Sequence, residues 1–547
     1  MIESGHKAEK GRNRTMLALA GASLFVAVLF LVGAASYACG AMPPDSKPGS
    51  QRDPLAVARQ IDHEIQKGLD EKKVPASPLS DDAEFCRRVH LDIIGCIPTA
   101  ERAAAFLDSK DPDKRRKLID ELLARPEYGQ FFGAIWRDLV ITDTSGLGRY
   151  FPSIDLFRDW MADSFNQNRP WSGIVSDMLI SEGKLSEKPQ QWFLLTNRVN
   201  NEIVPTKVAG STVQLFMGIQ LHCAECHRHP FIKEWKQEDF WGLAAFFSRV
   251  REDYVAKTDW SYTERDSAPT SPKNVPAPLP SAIKINTDTA KNTGTVVQAK
   301  FFEGELAALG NQAPYRPALA AWLTAPQNKY FARAAVNRWW AHFFAHGLVN
   351  PIDDMHDGNP PSHPELFQQL TAEFTASGFD LKHLVRCLCN SQTYQRTSKP
   401  LPGNRDDDKL LSHMPLKVLS PEQLYNSLTV AEVIRVTGPG RMKFFNLFDA
   451  KNIDDPTEMI YSTRQFLMLM NDPEFNRGSP KLTSQAPSGA SPAKVAEGLY
   501  LAMLARRPTA AEVQRIAERV AKSANASQTY SEVLWALVNC AEFIHNH

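Results

Sequence analysis

Apolar positions recur with a helical period over most of this 547-residue chain. Val57, Ile61, Ile65 and Leu69 stand four apart and predict an amphipathic helix behind the polar, Pro-rich stretch 43–54. Asp81 followed by Glu84 makes a capping-box pattern ahead of Phe85, Val89 and Leu91. Thr99 after Pro98 opens another helix, and Asp111-Pro112 starts one that carries Leu118, Ile119, Leu122 and Leu123. Trp136, Phe157, Trp160, Phe165 and Trp171 read as aromatic core between packed helices. Between 251 and 300 the pattern changes to a Pro/Ser loop, then to short alternating segments on either side of Asn292-Thr293-Gly294, which predict a small β-hairpin. Helical periodicity resumes near Tyr315, with start signals at Ser420-Pro421-Glu422-Gln423 and Thr509-Ala510-Ala511-Glu512. The stretch RRVHLDIIGCIPTAERAAAFL resembles LYLAMLARRPTAAEVQRIA near the other end, each a helix, a Pro-Thr cap and a second helix.

One segment departs from this pattern. Thr15 to Met42 contains no charged residue and follows Lys7, Lys10, Arg12 and Arg14. An uncharged run of that length predicts a membrane-spanning helix, and the basic residues before it favour leaving that end in the cytoplasm. Cleavage after Ala38 and lipidation at Cys39 are the alternatives; under all three the working domains are extracytoplasmic. The expected fold is mainly α: a multi-domain helical protein with a small β-hairpin insertion near the domain boundary and an N-terminal transmembrane helix. Its expected parts are a cytoplasmic tip and anchor at 1–45, a helical domain at 46–250, a linker with short strands at 251–312 and a second helical domain at 313–547. The 62 basic residues balance 62 acidic ones, so no general electrostatic footprint for nucleic acid is present.

Eight cysteines are too few for a disulfide scaffold. Cys86, Cys96, Cys387, Cys389 and Cys540 read as buried small hydrophobes. Cys223 and Cys226 differ, because they lie in LHCAECHRHPF, residues 221–231. Given the Cys and His content, Cys-x-x-Cys-His is expected by accident only about 0.003 times in such a chain. Val208, Thr212, Leu215, Phe216 and Ile219 form an apolar helical stripe that Cys223, Cys226 and His227 continue at helical spacing. Two thiols with an adjacent imidazole are what one covalent haem c needs: thioether links from Cys223 and Cys226, and His227 as the iron ligand. The bulky run Phe231, Trp235, Phe240, Trp241, Phe246 and Phe247 is available to wall a porphyrin. Met217, His229, Met355, His356 and His363 are candidates for the second axial position. Cys223, Cys226, His227 and His229 also offer zinc donors, though crowded ones, and the CxxC pair alone is a candidate redox dithiol.

A second constellation follows the linker. Asn337, Arg338, Trp339 and Trp340 share one predicted helix, and Asp353, Asp354, His356, Asp357 and His363 cluster in a Gly/Pro-rich loop. Carboxylates and imidazoles together suit a metal or acid–base chemistry. Ser362, Pro364 and Glu365 equally read as a helix start.

The stretches FCRRVHLDIIGCIPTAERAAAFL, RPEYGQFF and GIQLHCAECHRHPFIKEWKQEDFWGLAAFFSRV resemble the second type of planctomycete cytochrome c domain. ARAAVNRWWAHFFAHGLVNPIDDMHDGNPPSHPELFQQLTAEFTASGFDLKHLVRCLCNSQTYQRTS is similar to its usual partner, the planctomycete surface-type domain. Neither family has an assigned reaction. The resemblance implies a secreted or membrane-anchored, mostly helical protein with a CxxCH site. The expected function is a membrane-anchored extracytoplasmic c-type haem protein, working in electron transfer or as a redox subunit with a partner protein and no assigned small-molecule substrate. The alternatives are an enzyme with its site in the second domain, or a metal-stabilised surface protein.

Overall fold

Asp53 caps the first helix, α1 (Pro54–Lys72), by accepting a hydrogen bond from the Leu55 amide at 3.1 Å, and Pro54 stands at its first position, where no amide is needed. The predicted stripe Val57, Ile61, Ile65 and Leu69 is buried. The computed structural model describes residues 53–142, 151–199, 202–256, 259–265, 282–284, 295–309, 313–434, 441, 444–445, 447–448, 462–472 and 490–547. The stretch Thr15–Met42 lies outside them, and among the described residues no helix is long and apolar enough to cross a membrane.

The chain continues through α2 (Asp82–Ile94), α3 (Ala100–Asp108), α4 (Lys114–Ala124), α5 (Pro126–Val140), α6 (Phe151–Asn166), α7 (Trp171–Ile180) and the short α8 (Trp192–Leu195). Then come α9 (Pro205–Met217), α10 (Gln237–Ala245), α11 (Arg316–Leu323), α12 (Phe331–Phe344), α13 (Pro364–Ala376), α14 (Leu381–Cys389), the short α15 (Gln392–Gln395) and α16 (Pro421–Val430). Further helices span Thr463–Asn471, Pro492–Leu504, Ala510–Ala521 and Ala526–Val538. The mainly helical expectation holds. Residues 48–547 form one compact unit. α1 packs on α13, α14 and α15, and α12 packs on α9, so elements before and after the 251–312 stretch share a core.

The strands are few and short. Ala282–Lys284 pairs antiparallel with Val296–Gln298, as the alternating segments predicted. A longer hairpin, Val250–Ala256 with Asp259–Glu264, carries Gly183–Lys184 on its other edge. Lys417–Val418 pairs with His545–Asn546.

Several helix starts form as read from sequence, with local shifts. Thr99 caps α3, and both Ser420/Gln423 and Thr509/Glu512 close as capping boxes. Asp81 accepts from the Glu84 amide at 2.9 Å, but the Glu84 side chain does not return the bond. It is buried and pairs with Arg88 at 2.6 Å, accepts from Thr397 Oγ1 at 2.7 Å and caps the Ser398 amide. α4 begins at Lys114, two residues beyond Pro112. The two similar stretches share a local geometry: Gly95 (φ 67°) and Ala505 (φ 57°) end one helix, and Thr99 and Thr509 cap the next four residues on.

Buried ions join distant segments. Arg87 donates to the carbonyls of Met503 (3.0 Å) and Phe543 (2.6 Å), and Arg88 to those of Tyr394 (2.7 Å) and Arg396 (2.8 Å). Asp92 accepts from Lys417 Nζ (2.6 Å), Tyr394 OH (2.8 Å) and Asn546 Nδ2 (2.7 Å), and Lys417 donates also to the His342 carbonyl at 2.9 Å. Hydrogen bonds offset part of the cost of burying these charges; desolvation still holds Arg87 and Lys417 below their ordinary pKa values.

Candidate functional site: a surface loop bearing two thiols and an imidazole

α9 buries Val208, Val213 and Phe216 and stops at Gly218, whose φ of 66° is the left-handed conformation that ends helices. A Cβ at Gly218 would also push Met355 Cε aside, a smaller cost than the positive φ because that methyl is the end of a flexible side chain. The sequence reading ran the helix on through the cysteines; the structure corrects it. Ile219 and Leu221 dive into the core, and Cys223 rides on a separate 3₁₀ turn, His222–Glu225.

That turn is fastened from inside. Ala224 is buried, and the Glu225 carbonyl accepts from Trp241 Nε1 and Gln237 Nε2, both at 2.9 Å and both from α10. His229 braces the rest of the loop. Its Nδ1 accepts from the Ile232 amide at 3.1 Å, since an amide only donates, so Nε2 carries the proton and donates to the Gln220 carbonyl at 3.2 Å. The His229 amide donates to the Trp235 carbonyl at 3.0 Å. Burial pushes the His229 imidazole below its ordinary pKa and favours this neutral form.

Cys223, Cys226, His227 and Phe231 face outward from the braced loop, with Phe231 86% exposed. The His227 tautomer is opposite to that of His229. Its Nδ1 lies 2.6 Å from the Arg228 carbonyl, which only accepts, so the proton sits on Nδ1 and the Nε2 lone pair is free. A backbone carbonyl holding Nδ1–H is the usual support behind a metal-ligating imidazole.

The aromatic run behaves differently from its porphyrin-wall reading. Trp235, Phe240, Trp241, Phe246 and Phe247 are buried in the protein core, and Phe231 alone of that run is exposed beside the thiols. Both thiols are reachable and His227 presents a lone pair, so the residues fit covalent attachment. Burial of a porphyrin in an aromatic slot is not what this loop offers.

The loop after α12 comes up against the same place. Asn337 holds it in shape, donating to the Val349 (2.8 Å) and Ile352 (3.0 Å) carbonyls and accepting from the Val349 amide at 2.9 Å. Arg338 pairs with Asp353, while Trp339 and Trp340 pack in the core. The Met355 amide donates to the Gly218 carbonyl at 2.9 Å, and the charges of Asp354 and His356 reach His229. His356 Nε2 stands 3.7 Å from Asp354 Oδ2. His363 goes elsewhere: it is buried against Gly68 of α1, near Glu64 and Asp407. Pro364 does open α13, but His363 rather than Ser362 precedes it as the cap residue, without a capping bond. Among the described residues no three His, Cys, Asp or Glu side chains gather closely enough for a metal, so the four zinc donors of the sequence reading do not converge.

Other clusters are chemically closed. Cys387 Sγ, His383 and Glu373 resemble a catalytic triad, yet the thiol (3.6 Å) and the carboxylate (2.8 Å) meet the same His383 nitrogen, Nε2. A relay needs one partner on each nitrogen. Burial raises the Cys387 thiol pKa, and it pushes Cys86 and Cys96 up to about 12. A cavity of about 290 Å³ lies between His346, Ser398, His413 and Leu416. Asp407 at its edge is occupied by the amides of Lys409, Leu410 and Ser412.

Fold and loop together define a mainly helical protein that displays a thiol-and-imidazole loop. Residues 60–252 match the family model PSCyt2, described as a protein of unknown function (DUF1549). Residues 315–443 match PSD1, likewise a protein of unknown function (DUF1553). The chain belongs to the proteins that carry these two domains in this order. No curated protein and no solved structure matches it.

Proposed function

We propose that this chain is an extracytoplasmic, membrane-anchored c-type haem protein, with the porphyrin linked through Cys223 and Cys226 and its iron held by His227. One observation carries the reading. Cys223 and Cys226 are exposed on one braced loop beside an imidazole whose Nδ1–H is held by the Arg228 carbonyl, whereas Cys86, Cys96, Cys387 and Cys389 are buried. Bound there, haem supplies one-electron chemistry, with a redox partner protein as donor or acceptor. The residues' part is to offer two nucleophilic thiols, direct one lone pair at the iron and keep the loop at the surface where a partner can approach. The uncharged N-terminal stretch supports the compartment, since thioether attachment is carried out on the outer side of the cytoplasmic membrane.

A haem stain on a denaturing gel tests this, because only a covalent adduct survives. Protein from a host competent in cytochrome c maturation should stain, and Cys223→Ser should remove the colour. Colour retained in the Cys223→Ser/Cys226→Ser double variant would overturn the reading. An unstained protein with two reactive thiols would instead favour a redox dithiol.

A further inference from the structure

Cys387 and Asp407 are closed, but the cavity that Asp407 borders is not. It lies within the PSD1 stretch, and nothing about it depends on haem. We propose that this cavity binds a small neutral molecule with an apolar body and one hydroxyl, a phenol or a short alcohol, whose O–H is donated to His413 Nε2.

The walls are fixed by the fold itself. Glu84 of α2 accepts from the Ser398 amide at 2.6 Å, and the Met414 amide donates to the Thr397 carbonyl at 3.2 Å, so the two sides of the cavity are clasped together. Asp407 takes the amides of Lys409, Leu410 and Ser412, while Arg396 donates to the Leu411 carbonyl at 2.7 Å. Held from both flanks, Leu411 sits at φ 57°, a conformation that bulky side chains rarely adopt. Such strain persists only where the surroundings over-determine it, and it gathers at ligand clamps. The lining then selects the ligand. Pro400, Leu411, Met414, Pro415 and Leu416 supply apolar surface, and Leu416 is 60% exposed. Apolar walls disfavour charge, and Asp407 and Asp408 add repulsion against an anion. His413 Nδ1 lies 3.2 Å from the Met414 carbonyl, which only accepts, so the proton sits on Nδ1 and Nε2 is left as an acceptor. That Nε2 is buried, and no donor among the described residues meets it. A buried acceptor without a donor is costly, and a ligand hydroxyl relieves the cost. The cavity, about 290 Å³, is large enough for an aromatic ring with its substituent, since an apolar cavity of about 150 Å³ already takes benzene.

The full chain in lipid nanodiscs provides the test, read by fluorine NMR with 4-fluorophenol and fluorobenzene, which differ by the hydroxyl alone. Uptake by empty nanodiscs is subtracted. 4-Fluorophenol should saturate at one molecule per chain and bind at least about tenfold more tightly than fluorobenzene. His413→Phe should erase that preference. Leu416→Glu, a change at an exposed position, should weaken both probes, and it keeps the test decisive if His413→Phe fails to fold. Uptake no greater than that of empty nanodiscs would overturn the proposal. Equal affinity for the two probes would do the same, as would binding that neither variant alters, because the ligand would then sit elsewhere. None of these outcomes touches the haem stain, so the cavity and the cysteine loop stand or fall separately.

Discussion

The outward loop 220–232 and the buried cluster at Asp92 use similar polar side chains to opposite ends. On the loop, the bracing group (His229) is tied and hidden while the reactive groups are left without strong partners at the surface. Around Asp92 the donors are spent on one another's acceptors: Lys417, Tyr394 and Asn546 converge on one carboxylate. The first arrangement maintains chemical availability. The second removes it and gains a fixed geometry. A polar cluster is therefore a poor sign of activity until its free valences are counted, as Cys387, His383 and Glu373 also illustrate.

Thiol reactivity should separate the two regions most widely. In haem-free protein, a maleimide should modify Cys223 and Cys226 rapidly, with Cys86, Cys96, Cys387 and Cys389 slower by at least about three orders of magnitude until denaturant is added. Mass spectrometry of labelled peptides would show it, and equal labelling would erase the distinction. Asp92→Ala should cost about 3–5 kcal/mol, because it strands the Lys417 ammonium in the interior. Urea unfolding would reveal a cost under one kcal/mol if the cluster were dispensable. Gly218→Ala should cost about 1–3 kcal/mol through its positive φ and should displace Met355. Gly173→Ala, which meets open space, is the control.

The smallest effect is a pH slope. Burial lowers the pKa of His90 to about 3 and of His342 to about 4, from an ordinary 6.5. Below about pH 6.5 the unfolded chain takes up protons that the folded one refuses, so stability falls as pH drops towards 4. Each imidazole adds at most about 1.4 kcal/mol per pH unit to that slope, and neither contributes above about pH 6.5. Unfolding midpoints that do not differ between about pH 7 and pH 5 would contradict this.

The helices were legible where local chemistry decides them: the α1 stripe, the Thr99 and Thr509 caps and the hairpin flanking Asn292. Gly218 was equally legible as a stop signal, and the helical spacing of the cysteines masked it. The hairpin Val250–Glu264 was missed because charged residues interrupt its alternation. The aromatic run after Phe231 gave no hint of which rings face inward, since that depends on α9 and the 299–302 segment packing against it. Nothing local marks His229 as a brace, and the Asp92–Lys417 pair spans 325 positions, beyond any periodicity.

The contact of Met355 with Gly218 joins the PSCyt2 stretch to the PSD1 stretch at the base of the cysteine loop. Cutting the gene between these stretches would therefore not liberate two self-sufficient modules. Each half would leave the ribosome missing a wall, and co-expression of the two pieces should restore what neither achieves alone.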